Sequence, residues 1–400
     1  MRNFEKAKRV VIKIGTNILS RGSSCHSERS EESRLLTPDA SPSAQHDSGG
    51  IDAEYVAKMA GQVSKLLKMG KQVVIVTSGA IGMGAGQLKL EAKPSEVRMR
   101  QACAAIGQPM LMAEYRKAFE QFGVTVAQVL LTAEVLNNRK TYLNLQATLE
   151  SLLKLGVVPV LNENDSISTA EIGGTPPHER RTSFGDNDRL SALVASKIDA
   201  DLLIILTDID ALYDKDPKKY NDAKPIDTVY EITEEILKSA GSKGSKFSSG
   251  GMKTKVEAAK IASNAGCRIV LANGKAENVI ERIIAGETIG TLFLPKRKLS
   301  NRERWILNST PAGKISIDDG AIRAVQNKKS LLPSGIKMID GTFEAGDCVW
   351  LNDKAKAVTN FSSEELKSLA GKHSTEIRKL LGPKRRDVVA IPEDIVFVDY

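Results

Sequence analysis

The chain has little of what most metal, redox and membrane proteins are built from. It carries four cysteines in 400 residues. Cys25, Cys103, Cys267 and Cys348 form no CxxC pair, which excludes a zinc framework read from spacing and fits reduced thiols. Its four histidines, His26, His46, His178 and His373, are as scattered, so no histidine metal site is expected. Aromatics make up 4% of the chain, and no stacking motif of a nucleic-acid reader is present. No apolar run approaches the ~18–20 residues that a membrane span needs. The basic start MRNFEKAKRV is followed only by the short apolar run Val10–Ile14, too brief for a signal-peptide core, and a cytoplasmic protein is expected. GxxxxGK[ST] and GxGxxG are both missing, which excludes a P-loop and a dinucleotide fingerprint.

What is present is ordinary globular composition, 41% hydrophobic and 26% charged, at a length that fits two domains, one large and one small. The formal charge is +8, which suits anionic substrates or nucleic acid. The last ninety residues hold 14 lysines and arginines against 13 acids, a net of +1. The excess therefore lies in the first three quarters of the chain.

The organising stretch is 157–213. Two short β-branched runs, 157–161 and 202–206, end in the polar clusters Asn162-Glu163-Asn164-Asp165 and Thr207-Asp208. Such runs read as buried parallel strands, and in open α/β sheets ligands bind beyond the carboxyl ends of these strands. Between them lies Gly185-Asp186-Asn187-Asp188, with Leu190, Leu193, Val194 and Ile198 following at helical spacing. Asp186 is placed as the N-cap of that helix. Upstream, RVVIKI at Arg9–Ile14 reads as a first strand. Lys13 inside it either points at an anion or snorkels from an edge strand. Gly15-Thr16-Asn17 follows, and Thr77–Gly86 forms a glycine-rich loop after a strand at 73–76, an arrangement suited to cradling an anion. Near 241–255 a Gly/Ser-rich loop leads into a helix with lysines in its first turn, where they oppose the macrodipole. Either a phosphate sits there or the loop is a mobile surface segment.

Helices are predicted over 51–70, 96–106, 110–122, 141–155 and 231–240, with strands at 124–131, 268–272 and 290–294. Strand–helix alternation to about residue 290 argues for α/β architecture, a mainly parallel sheet covered on both faces. Residues 21–50, rich in Ser, Pro and charge, are expected to be a disordered insertion. Residues 296–311 read as a basic linker. From 312 to 400 short strands with glycine turns and one helix at 362–370 predict a small β-rich domain.

The motifs VVIKIGTN, VTSGAIGMG, VPVLNENDSI, FGDNDRLSALVA, LLTDIDALY and GGMKTK, in this order, resemble the glutamate 5-kinases of the amino acid kinase family. SLLPSGI and GTFEAGD resemble a PUA domain. The resemblance implies a three-layer αβα sandwich over 1–295 and a PUA-like domain over 312–400. The activity it implies is ATP-dependent phosphorylation of the γ-carboxylate of L-glutamate, the first step of proline biosynthesis. It makes Lys13 and Lys255 contacts of the transferring phosphate and Asp208 the carboxylate that orients the lysines. Ser78, Asp165 and Asn187 become glutamate contacts, flanked by Asp186 and Asp188. Thr207, Asp208 and Ser249-Gly250-Gly251-Met252-Lys253-Thr254-Lys255 become the nucleotide site, together with Lys13. No direct protein ligand for a metal is implied: Mg²⁺ is carried by ATP, near Asp186 or Asp188. The resemblance also implies L-proline as feedback inhibitor, glutamate-5-semialdehyde dehydrogenase as a partner for the labile product, and a homodimer or homotetramer.

Two departures from the family pattern are the insertion at 21–50 and the long 173–183 link beside the glutamate motifs. They bear on proline sensitivity and assembly more than on substrate recognition. The competing readings are another acceptor on the same fold (aspartate, N-acetylglutamate, carbamate or a nucleoside monophosphate) and an RNA-binding protein. The near-neutral C-terminal part weighs against the last.

Overall fold

The computed structural model describes residues 2–20, 50–92, 94–168, 187–215, 217, 220–241, 251–296, 298–372, 376–377 and 387–398. The expectations for the insertion at 21–50 (save its last residue), the 173–183 link, Asp186, Ser249 and Gly250 fall outside these residues.

Among the described residues, eight strands form the first sheet: β1 Arg9–Ile14, β2 Gln72–Val76, β3 Val126–Leu131, β4 Val158–Glu163, β5 Leu202–Thr207, β6 Thr228–Val229, β7 Arg268–Asn273 and β8 Thr291–Phe293. Their order is β3-β4-β2-β1-β5-β7-β8-β6. The pairs from β3 through β7 are parallel, whereas β8 runs antiparallel to β7. In β1, Val11 faces one apolar layer and Val10, Ile12 and Ile14 the other. Side chains alternate across a strand, so a run buried on both faces must be apolar throughout. Helices Arg139–Lys154, Asn187–Lys197 and Gly251–Ser263 cover the first face. Helices Ala53–Lys68, Val97–Glu120 and Val279–Ile284 cover the second. The predicted αβα layering is what the chain adopts.

Several elements depart from the sequence expectation, among them the glycine-rich stretch read as a loop, which is helical over Ala80–Gln87. The helices predicted at 96–106 and 110–122 are one helix, Val97–Glu120, with Pro109 inside it. An internal proline costs about 3 kcal/mol, and burial of Leu111, Tyr115 and Phe119 offsets it at roughly 1.5–3 kcal/mol each. The stretch read as a linker contains the helix Asn301–Asn308, closed at its start by a Ser300–Glu303 capping box. A helix at Asp319–Gln326, capped by Asp318, also lies in a stretch predicted only as strands.

The second sheet comprises β9 Gly313–Ile317, β10 Ile336–Gly341, β11 Cys348–Leu351, β12 Ala355–Val358 and β13 Ile395–Phe397, in the order β10-β9-β11-β12-β13. Its own core gathers Ile315, Val349, Leu351, Phe361 and Leu366. Helix Asn301–Asn308 joins the two sheets. Its buried Trp305 and Ile306 share one apolar cluster with Leu136 of the first unit and with Cys348, Val358 and Val396 of the second. Trp305 Nε1 donates to Leu136 O at 3.2 Å, and Lys356 Nζ donates to Leu307 O and Ser309 O. Among the described residues, no helix is long and apolar enough to cross a membrane.

Candidate functional site

Because β1, β2, β4, β5 and β7 run parallel, their carboxyl ends share one edge. Gly15–Asn17, Thr77–Gly79, Asn164–Asp165 and Asp208 therefore meet there, with the first turns of helices Asn187–Lys197 and Gly251–Ser263. At their centre is Asp188, with no exposed surface. Lys13 Nζ reaches its Oδ1 at 2.6 Å, and Lys255 Nζ reaches its Oδ2 at 3.0 Å. Thr254 Oγ1 donates to the same Oδ2 at 3.2 Å. Lys255 also donates to Gly251 O at 3.1 Å. Burial alone would push the Asp188 carboxyl up, but the two ammoniums and their hydrogen bonds hold it below its ordinary value.

This explains the cation inside β1. Lys13 is only 4% exposed and points at an anion, the first of its two readings. Gly15, just past the strand, lets the chain pass: a Cβ there would stand 3.3 Å from Leu206 O and 3.6 Å from Lys13 Nζ.

Asp208, the carboxylate given the orienting role above, stands at the same edge. Its exposed carboxylate accepts from Asn17 Nδ2 and Thr207 Oγ1, each at 3.0 Å. Burial raises its pKa, while these hydrogen bonds and the nearby Lys255 ammonium lower it, with a net fall. Asp208 lies beyond the end of β5, on the solvent side, whereas Asp188 dips from a helix's first turn onto β1. Asp188 is thus the carboxylate both lysines share. Thr207 and Asp208 remain together at this edge.

Ser78 is also on the edge, but its hydroxyl donates to Ile14 O at 3.0 Å and accepts from Thr16 Oγ1 at 3.1 Å. Gly79, at φ +100°, turns the chain into helix Ala80–Gln87, a conformation that favours glycine. Asn187 donates to Thr77 O at 2.7 Å and to Asn162 Oδ1 at 3.0 Å. Asn162 donates in turn to Gln108 Oε1 at 2.9 Å. Asp165 lies in the turn after β4, partly exposed. Gly251, Met252, Lys253, Thr254 and Lys255 form the first turn of their helix. The strand-end pattern signals Asn162 and Asn17. Gln108, inside a long helix, carries no local signal.

Two buried ammoniums share the Asp188 carboxylate beside the first turns of two helices. That donor set fits a phosphate group. Among the described residues no group of three His, Cys, Asp or Glu side chains is placed to hold a metal ion.

Residues 8–273 match the Amino acid kinase family and residues 313–381 the PUA domain. A curated relative, glutamate 5-kinase of Methanosarcina mazei, is 45% identical over 98% of this chain and 96% of its own. Glutamate 5-kinase of Thermoanaerobacter sp. is 43% identical over 98% of both chains.

Proposed function

Since the chain belongs to the amino acid kinase family, among the glutamate 5-kinases with a PUA domain, we propose that it transfers the terminal phosphoryl group of ATP to the γ-carboxylate of L-glutamate. The products are L-glutamyl 5-phosphate and ADP, in the first step of proline biosynthesis. The observation that carries the reading is the Lys13–Asp188–Lys255 cluster at the carboxyl edge of the sheet.

A carboxylate acceptor is already ionised at neutral pH, so no general base is needed. The difficulty is charge: two anions approach in line, and negative charge spreads over the transferring group. Lys13 and Lys255 answer it. Asp188 holds both ammoniums at fixed positions. Buried donors fixed before the reaction act most strongly on developing charge.

Nucleotide phosphates are assigned to Lys13, Lys255 and the backbone amides of the Gly251 turn, with Thr207 and Asp208 beside the nucleotide and Ser249–Gly250 completing the loop. Mg²⁺, entering with ATP, supplies further positive charge to the phosphates, with Asp186 or Asp188 nearby. L-Glutamate is assigned to Ser78, Asp165 and Asn187. The reading extends to inhibition by L-proline, hand-over of the labile acyl phosphate to glutamate-5-semialdehyde dehydrogenase, a homo-oligomer and a cytoplasmic setting.

The test is ATP-dependent γ-glutamyl hydroxamate formation with Mg²⁺ and L-glutamate, beside aspartate and N-acetylglutamate. Glutamate-specific product, abolished in Lys255→Ala, supports both reaction and site. Turnover with another acceptor moves the substrate. Full activity at high proline removes the feedback reading.

A further inference from the structure

Three side-chain amides run head to tail from the catalytic edge into the core. Their direction is fixed at one end by a backbone group. Thr77 O can only accept, so the partner it meets at 2.7 Å must be the amide nitrogen of Asn187. That nitrogen also donates to Asn162 Oδ1 at 3.0 Å. Asn162 must then turn its own nitrogen the other way, to Gln108 Oε1 at 2.9 Å. Reversing Gln108 would bring two nitrogens face to face, since each amide carries one donor end and one acceptor end.

Asn162 is 2% and Gln108 8% exposed. Gln108 Nε2 is buried and meets no hydrogen-bond partner among the described residues. An unpaired buried donor is costly, so the glutamine is held for its acceptor end. Its backbone is fixed as well. A Cβ on the neighbouring Gly107 would lie 1.9 Å from Ala80 O, and one on Gly84 1.9 Å from Cys103 O. The two helices therefore touch backbone to backbone beside the relay. At the other end, the nitrogen of Asn187 is fully engaged, and Oδ1 is the end of the amide left for a ligand.

We propose that Gln108 is a positioning residue for acceptor recognition. Through Asn162 it holds Asn187 with its carbonyl oxygen toward the acceptor, so that the site selects a dicarboxylate bearing an α-ammonium. This rests on the glutamate reading above. An ammonium donates to Oδ1, whereas an acceptor without one leaves that oxygen unpaired, and unpaired polar groups discriminate strongly.

The test compares the wild type with Gln108→Met, which keeps the length and loses the acceptor, and with Gln108→Glu, which keeps an acceptor oxygen. Each full-length protein is assayed with L-glutamate and with glutarate, the same dicarboxylate without the ammonium, at varied ATP. Gln108→Met is expected to raise KM for L-glutamate about tenfold, the scale of one hydrogen bond to a charged group. Its KM for ATP stays unchanged and its glutamate-over-glutarate preference falls. Gln108→Glu restores the preference. An unaltered preference in Gln108→Met, or an equal loss with both acceptors, overturns the proposal. If Gln108→Met does not fold, Gln108→Glu decides alone: wild-type preference supports the relay, and loss of preference in a folded protein refutes it. A wild type that phosphorylates neither compound refutes the glutamate reading instead.

Discussion

Replacing Asp188 by Asn removes one charge and almost no volume, at the point where two ammoniums meet. At 2.6 and 3.0 Å and an effective dielectric of ~20, each pair amounts to about 6 kcal/mol of gross attraction. Desolvation of three charges offsets most of that, but removing the shared partner leaves two buried cations facing each other, a loss of about 3–5 kcal/mol. Turnover should fall about 10²–10³-fold, the scale for losing an oriented transition-state donor. Affinity for ATP should not fall with it, because the freed lysines attract phosphates more strongly than before. Thermal unfolding with and without Mg·ATP separates the two effects. The variant should melt well below the wild type alone and regain more on adding nucleotide. The acid limb supplies a further check. The folded Asp188 carboxyl titrates below its ordinary 3.8, so its contribution is complete above that value and is lost as pH falls through the lowered one. An Asp188→Asn variant with wild-type turnover and an unchanged nucleotide-induced shift would refute the assignment of Asp188 as the shared counter-ion.

Lys13→Ala should lower kcat about 10²–10³-fold, read in the hydroxamate assay; near-wild-type turnover would remove Lys13 from the mechanism. Gly107→Ala places a methyl carbon 1.9 Å from Ala80 O and should cost about 3 kcal/mol or more, measured by urea denaturation; an unchanged midpoint would contradict the close helix contact. Lys197 is fully buried, with Nζ 2.8 Å from the centroid of the Tyr142 ring. Burial, with Arg139 and Arg304 nearby, lowers its pKa from 10.5 to about 7. Between those values the unfolded chain binds the proton and the folded one does not, so stability rises with pH across that window. Lys197→Met should raise the melting temperature at pH 7 and flatten that slope, and a wild-type slope in the variant would exclude Lys197 as its source.

The layered fold was legible because β1, β4 and β5 are short, β-branched and apolar on both faces, and helices alternate with them. Lys13 was legible only as a choice between an anion partner and an edge-strand lysine. Which anion was not: Asp188 and Asp208 both stand in polar clusters, and only the tertiary approach of helix Asn187–Lys197 to β1 shows that both lysines reach Asp188. Pro109 is a local stop signal that packing of Tyr115 and Phe119 overrides. Helix Asn301–Asn308 hid in a run of basic residues, although Ser300 and Glu303 carry the spacing of a capping box. Gln108 was invisible, because its role depends on Thr77 O, thirty-one positions earlier.

The helix Asn301–Asn308 also bears on where this protein can be cut. A gene boundary drawn after residue 295, where the first sheet ends and charged residues begin, would discard Trp305 with the downstream piece and open a wet slot beside Leu136. A boundary after Ser309 would keep that slot filled and instead bare Cys348, Val358 and Val396. Neither half is a portable cassette as it stands. Moving the C-terminal unit onto another enzyme requires carrying the helix along, or redesigning whichever apolar face is left behind.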